Sequence, residues 1–188
     1  YKRQTKGYLE KLIAQVFTGR ERFEPGNPQE GYSPSPQERQ SWLQISYMKE
    51  AYHTMGPKFT LGWMAEALYS SKNFSENYTA TMMQAGEFAP TPHSKLMYNE
   101  AFRANQYVAA GIKPIYVLND MFQFRTEFYG FTPIFPIKKN ALNKAYYGKA
   151  FSRFEYMGEV SVICHLPFGA ISAYVNHYSS PRREWNVG

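Results

Sequence analysis

The sequence is poor in cysteine and has no long apolar run. Its single cysteine, Cys164, excludes an internal disulfide framework and a metal site built from cysteines. No stretch approaches the roughly 18 consecutive apolar residues of a membrane-spanning helix, which argues against a helical membrane protein. The N-terminal residues also lack the apolar segment of a secretory signal peptide.

Motifs of the common enzyme classes are missing as well. The sequence contains no GxSxG, no phosphate-binding glycine loop, no HExxH and no CxxC, and its four histidines lack metal-ligand spacing. We therefore expect no catalytic residue, no cofactor and no metal in this chain. The net charge is +6, but neither a basic helix nor an RNA-binding aromatic motif accompanies it, so we expect no nucleic-acid partner.

Aromatic residues, by contrast, are abundant. They make up 18% of the chain, with 16 tyrosines and 14 phenylalanines. Such a content suits the aromatic girdles of membrane β-barrels, where half of the strand residues face water and lower the mean hydropathy. The basic charge suits lipid headgroups and the phosphates of lipopolysaccharide.

Residues 150–178 show the clearest pattern, an alternation of apolar and polar side chains on both sides of a Pro-Phe-Gly break. A period of two predicts strands with one apolar and one polar face. The first strand is roughly three times the usual length of about five or six residues. Length and one-sided charge are typical of barrel strands that cross a bilayer. A large soluble antiparallel sheet with one wet face would show the same alternation.

Similar alternation predicts further strands at 41–53, 58–71, 78–83, 107–118 and 121–131. Residues 7–18 fit a helical stripe almost as well, and we interpret them as a strand from their neighbours. The total is about eight strands, with another beginning at the C-terminus. Pro114 is unfavourable in a central ladder, so we expect a bulge there. Long loops are predicted at 19–40, 84–106 and 132–149.

The parity of each strand assigns its side chains to one of two faces. In a barrel, the apolar set would face lipid and the charged set would line the lumen, where charges of opposite sign would form a ladder across neighbouring strands. The predicted lipid-facing residues are Phe59, Leu61, Trp63, Phe122, Phe124, Phe128, Phe154, Val160 and Val162. The predicted lumen charges are Glu50, Glu66, Arg125, Glu127, Arg153, Glu155 and Glu159.

Several segments resemble the BamA-like outer-membrane barrel superfamily. The segment SVICHLPFGAISAYVNHYS is similar to the closing strands of these barrels. Three other segments are most similar to the C-terminal barrel of patatin-like phospholipases of the Bacteroidetes type: NYTATMMQAGEFAPTPHSK, FRANQYVAAGIKPIY and YGFTPIFPI. The resemblance covers residues 58–188. It matches Phe102, Arg103 and Ala104 to the family's Arg-Gly-aromatic motif, with Ala104 where the family has glycine.

The resemblance implies a fold, a location and a set of partners. The fold would be an all-β antiparallel transmembrane barrel, of which residues 1–188 form one partial domain, the C-terminal half of about 16 strands. The location would be the bacterial outer membrane, and the function a membrane anchor or a translocation or insertion pore. Upstream strands and a patatin domain would lie outside this sequence, so any phospholipase activity would lie there and this chain would not be an enzyme.

Individual residues also gain roles from the resemblance. Arg103 would lock a loop inside the lumen. The loops at 84–106, 132–149 and 179–184 would be extracellular, and lysines of the second would face lipopolysaccharide: Lys138, Lys139, Lys144 and Lys149. The Pro-Phe-Gly turn would be periplasmic. Counting strands places the long 19–40 loop on the periplasmic side too, where turns should be short, so either a strand is missed or 7–18 is not one.

Two other interpretations remain open at this point. A complete small eight-stranded barrel with a structural or adhesive role would require the first and last strands to pair. A soluble β-sandwich that serves as a binding module would bury its tryptophans in protein rather than expose them to lipid.

Overall fold

The computed structural model describes residues 6–21, 39–180 and 185–187. These residues are mostly β-structure, and they include one short α-helix. The strands are β1 (Gly7–Arg20), β2 (Arg39–Thr54), β3 (Phe59–Ser70), β4 (Gly86–Glu87), β5 (Arg103–Ala104), β6 (Gln106–Val117), β7 (Phe122–Pro133), β8 (Ile137–Lys139), β9 (Ala145–Tyr147), β10 (Glu155–Leu166), β11 (Gly169–Tyr178) and β12 (Trp185–Val187), and the helix is α1 (Tyr78–Gln84).

Eight strands form one antiparallel sheet in the order β1-β2-β3-β6-β7-β10-β11-β12. The all-β antiparallel prediction is confirmed. The strand at 7–18 is confirmed as well, since β1 pairs with β2 along its whole length, from Gly7 opposite Tyr52 to Arg20 opposite Arg39. In the described part of the chain the sheet is not closed, and β1 and β12 are its two edges.

The prediction of a strand at 78–83 is wrong, because these residues form helix α1. The Asn77 side chain accepts a hydrogen bond from the Ala80 backbone N–H at 2.8 Å and caps the helix N-terminus. The false strand also explains why the strand count places the 19–40 loop on the side where turns should be short. With α1 removed from the strand count, Arg20 and Arg39 lie at the same end of the sheet as the other long connections. We call this the loop end. Most of the predicted 19–40 loop lies outside the described residues.

Short turns join the strands at the opposite end, the turn end. They lie at 55–58, 118–121 and 167–168. In the second of them, the Asn119 side chain accepts hydrogen bonds from the backbone N–H groups of Met121 and Phe122, which fixes the predicted hairpin. The His165 N–H donates to the Met121 carbonyl at 2.7 Å and joins this turn to the next hairpin.

The predicted bulge at Pro114 is wrong. The register of β6 with β3 runs unbroken from Phe59 opposite Tyr116 to Tyr69 opposite Gln106. On the other side, the pairing of β6 with β7 omits residues 113–114 and resumes in the same register. Proline has no N–H to donate, so the ladder loses contacts there without inserting a residue.

Two glycines let tyrosine rings lie flat on the polar face of the sheet. A Cβ at Gly62 would come within 2.6 Å of the Tyr52 ring, and one at Gly111 within 2.2 Å of the Tyr129 ring. Each ring therefore occupies the volume that a side chain would need on the neighbouring strand. Gly62 also lets Tyr52 approach Lys113, whose Cβ lies 3.1 Å from the same point.

The connection between β3 and β6, residues 71–105, folds over this polar face, and we call it the covering segment. It contains α1, the β4–β5 pair and two 3₁₀ turns at Ser94–Leu96 and Glu100–Phe102. Phe88 and Phe102 are 1% exposed and pack against Tyr107, Phe131 and Tyr178. The main apolar core therefore lies between the sheet and its own longest connection.

The predicted loop at 132–149 is shorter than expected. Strand β7 continues to Pro133, and the loop then folds into the β8–β9 hairpin. Asn143 has a positive φ of 59° at the tip of this hairpin, where the Asn140 side chain accepts from the N–H groups of Leu142 and Lys144. Part of the predicted loop at 179–184 lies outside the described residues.

Candidate membrane-facing surface and buried charge network

The outward face of the four central strands β3, β6, β7 and β10 carries no charged side chain. On each strand, every second residue faces outward, and none of these residues is Asp, Glu, Lys or Arg. The ranges are 59–69 on β3, 108–116 on β6, 122–132 on β7 and 156–166 on β10. Many are well exposed: Phe128 is 53% exposed, Ile112 49% and Val160 47%. A contiguous exposed apolar surface of this kind marks an interaction site on most proteins.

The residues predicted to face lipid all belong to this outward face or border it. Phe59, Phe122, Phe124, Phe128, Phe154 and Val160 are exposed, and Leu61, Trp63 and Val162 are partly exposed. Phe154 lies just before β10, with its ring over Gly130. The Trp63 indole N–H lies 3.4 Å from the His53 ring nitrogen. Their contact with lipid stays a prediction.

Side-chain size varies along the outward face. Toward the turn end, Phe59, Tyr116 and Phe124 are neighbours across three strands. Nearer the middle, Ala65, Ala110 and Gly130 are neighbours across the same three strands. Between these two rows lies a row of large side chains, Trp63, Ile112 and Phe128, and Tyr156 is opposite Gly130 in the row of small residues. Large side chains therefore occur at several levels of the outward face, and the small residues on β3, β6 and β7 form a local depression among them.

The inward face has the opposite character, because its charged residues are buried. Arg125 is 3% exposed, Glu127 4% and Glu159 2%. Charged side chains are almost never fully buried in proteins unless they are paired. The other predicted lumen charges, Glu50, Glu66, Arg153 and Glu155, are partly buried.

Two ion pairs between described residues of the inward face do not run between neighbouring strands. Lys113 Nζ lies 2.5 Å from Glu50 Oε1, which joins β6 to β2 across β3. Arg125 Nε lies 2.5 Å from Glu127 Oε1, along one strand. The register places Glu159 directly opposite Glu127, so two like charges face each other there. A ladder of opposite signs along the whole face stays a prediction.

Tyrosine hydroxyls complete the network of buried carboxylates. Tyr52 donates to Glu50, Tyr129 donates to Glu127, and Tyr107 donates to Glu66 at 2.5 Å. None of these tyrosines was singled out by the sequence reasoning, although each shares the parity of the charged residues.

One hydrogen bond shows that the sheet is strongly curved. The Arg125 Nη2 group donates to the Tyr52 hydroxyl at 2.9 Å, although β7 and β2 are separated by three strand spacings. In a flat sheet those spacings would amount to about 14 Å. Two side chains meet across this distance because the inward face is concave, which is also why its charges are buried.

Arg103 holds the covering segment at the loop end. Its guanidinium donates to the carbonyls of Met83 and Ala85 at the C-terminal end of α1, at 3.0 and 3.2 Å. It also pairs with Glu87 at 2.5 Å. A cation at a helix C-terminus satisfies carbonyls that have no partner within the helix. Arg103, the predicted lock, thus joins α1 and β4 within the covering segment, and its role as a lock in a barrel lumen stays a prediction.

Further contacts attach the covering segment to distant strands. His93 Nδ1 lies 3.0 Å from the Tyr178 hydroxyl on β11, and Arg153 donates to the Ala101 carbonyl at 2.9 Å. The Tyr78 hydroxyl donates to Glu100 within the segment; burial and this hydrogen bond raise the pKa of Tyr78 well above its usual range. The segment is therefore bonded to β11 and to the residues just before β10.

The predicted basic loop carries its lysines at the loop end. Lys138, Lys139 and Lys149 are exposed, and Lys144 lies 3.7 Å from Glu76. Whether they contact lipopolysaccharide stays a prediction. Over residues 6–21, 39–180 and 185–187 there is no cluster of three or more His, Cys, Asp or Glu that could hold a metal ion. None of the helices in the same residues is long and apolar enough to cross a membrane.

These features define an antiparallel sheet whose apolar side faces outward and whose charged side is concave and covered. No protein-family model, curated protein or solved structure matches the chain.

Proposed function

We propose that this chain is part of an outer-membrane β-barrel, with the outward face of β3, β6, β7 and β10 in contact with lipid. The observation that carries the proposal is the reversed polarity of the four central strands, whose exposed side is free of charge while Arg125, Glu127 and Glu159 are buried on the other side. An uncharged surface can face lipid because no charge has to be desolvated there, and paired charges can line the polar lumen of a barrel.

A soluble protein would pair these faces in the opposite way. A β-sandwich buries the apolar face of its sheet against a second sheet and exposes its charges to water. Here the apolar outward face is the exposed one, with Phe128 and Ile112 about half exposed. Protein interfaces, moreover, usually have a polar rim. The uncharged surface instead extends across four neighbouring strands from one end to the other.

The open edges favour a partial barrel over a complete eight-stranded one. A complete barrel pairs its first strand with its last. In the described residues β1 and β12 lie at opposite edges of the sheet. We propose that further strands pair with these edges, and that the chain is the C-terminal half of a barrel of about 16 strands in a patatin-like protein.

Within this proposal, the covering segment favours an anchor over an open pore. Phe88 and Phe102 fill the concave side of the sheet and are 1% exposed. His93 and Arg153 bond the segment to the sheet, and Arg103 bonds the parts of the segment to one another. A pore would require this segment to move, whereas an anchor would not.

Spin-label accessibility on adjacent residues of β10 tests the proposal. The full-length protein, with Cys164→Ser as background, would carry single cysteines at Val160 and at Ser161, which point outward and inward respectively. In native outer membranes, the label at Val160 should collide with lipid-dissolved oxygen and be shielded from an aqueous nickel complex. The matched label at Ser161 should be shielded from oxygen. Equal accessibility of both labels, or access of nickel to Val160, would overturn the proposal.

A further inference from the structure

A shallow groove crosses the outward face near its middle. It has a volume of about 580 Å³ and spans β3, β6, β7 and β10. Its floor is formed by Ala65, Ala110 and Gly130, which are neighbours across three strands. One wall is the adjacent row of larger side chains, Trp63, Ile112 and Phe128.

Aromatic rings close the groove on the β10 side. Tyr156 lies directly opposite Gly130 in the register of β10 with β7, and Phe154 lines the groove beside it. The Phe154 ring lies over Gly130, where its atoms would come within 3.0 Å of a Cβ. A side chain at Gly130 would push this ring away by a few tenths of an ångström and would make the groove shallower.

The chemistry of the lining restricts what can bind. No residue of the groove carries a charge, and the Trp63 indole N–H already faces His53. A peptide strand laid here would leave its own backbone groups without hydrogen-bond partners, at a cost of several kcal/mol per group in lipid. A saturated hydrocarbon chain has no such groups, and the volume is within the range of about 300–1,000 Å³ typical of ligand sites.

We propose that this groove binds one acyl chain of a membrane phospholipid as a specifically held lipid. The inference rests on the proposed function, because the groove is continuous with the surface that would face the bilayer. It adds to that function one specifically bound lipid, which is held over the groove floor of Ala65, Ala110 and Gly130 rather than on the rest of the apolar outward face.

Native mass spectrometry of the purified full-length protein tests the site. The protein would be extracted from its membrane, exchanged into a mild detergent, and compared with Ala110→Phe, which fills the floor of the groove from an exposed position. The matched control is Ala173→Phe, on the exposed outward face of β11 and outside the groove. We expect one phospholipid to remain bound to the unmodified protein and to Ala173→Phe, and to be lost from Ala110→Phe.

A second measurement reports whether the acyl chain of the lipid occupies the groove. A phospholipid brominated in its acyl chain, added at one molecule per protein in detergent, should quench the fluorescence of Trp63. This quenching should disappear in Ala110→Phe and persist in Ala173→Phe. Equal lipid retention and equal quenching in both variants would overturn the proposal, as would a groove-dependent dimer of the protein without bound lipid.

The two proposals fail in different ways. If the outward face does not contact lipid, the spin labels at Val160 and Ser161 do not differ in their accessibility to oxygen and nickel. If only the groove is wrongly assigned, that difference in accessibility remains while Ala110→Phe retains as much lipid as Ala173→Phe.

Discussion

Replacing Lys113 by methionine tests the buried charge network at its clearest ion pair. Lys113 Nζ lies 2.5 Å from Glu50 Oε1, and the two side chains are 7% and 18% exposed. Removing one partner of a buried pair leaves the other charge uncompensated and typically costs about 3–5 kcal/mol. Because Tyr52 still donates to Glu50 and part of that carboxylate stays exposed, we expect the lower end, about 3 kcal/mol.

The chain provides a matched control for this substitution. Lys49 pairs with Glu10 at 3.4 Å on the outer surface, where the side chains are 39% and 45% exposed. Exposed pairs contribute little, so Lys49→Met should leave the unfolding midpoint nearly unchanged. In the double variant Lys113→Met with Glu50→Gln no charge is left without its partner, and part of the lost free energy should return.

Urea unfolding of the full-length protein in detergent, followed by tryptophan fluorescence, gives the free energies of four variants: Lys113→Met, Glu50→Gln, the double variant and Lys49→Met. We expect the double variant to lose less free energy of unfolding than the summed losses of Lys113→Met and Glu50→Gln. If Lys113→Met costs no more than Lys49→Met, or if the double variant costs the full sum, the inward face is not a dry and mutually dependent network.

Three other substitutions have defined outcomes. Gly111→Ala should destabilise the fold by about 1–3 kcal/mol, because its Cβ would overlap a tyrosine ring, whereas Gly56→Ala meets nothing within 4 Å and should be neutral in the same urea titration. Phe88→Ala should cost about 3–5 kcal/mol from lost burial, against no more than about 0.5 kcal/mol for Leu96→Ala, which is 86% exposed; equal midpoints would contradict the packing. Arg103→Ala should leave the strands paired but make residues 82–102 sensitive to limited proteolysis, and an unchanged cleavage pattern would show that this arginine does not hold the covering segment.

Strand positions could be predicted because parity alone separates the two environments. Val160 and Ser161 are adjacent in sequence, and one is 47% and the other 1% exposed. In such a strand the polarity of each residue matches the face that it occupies, so a stretch of ten residues gives a clear period of two. Helix α1 was missed because seven residues make only two turns, too few for a helical period. The Asn77 cap was the available signal.

The contacts inside the concave face could not be predicted from parity. The alternation assigns Glu50 and Lys113 to the same face, but strand order and curvature decide that they meet across β3. That meeting depends on Gly62, where a side chain would collide with the Tyr52 ring. Sequence reasoning predicts which side chains share a face, whereas the pairing partner depends on how far the sheet bends.

For the proposed membrane location, the alternating faces also have a consequence for how the protein would enter a bilayer. The longest uninterrupted apolar run of β10 is Val162-Ile163-Cys164, so the unfolded strand presents no long segment that is hydrophobic along its length. The apolar surface is created only when strands pair and their odd and even residues separate. Insertion of such a chain therefore has to be coupled to strand pairing, and machinery that recognises linear apolar segments would not recognise it.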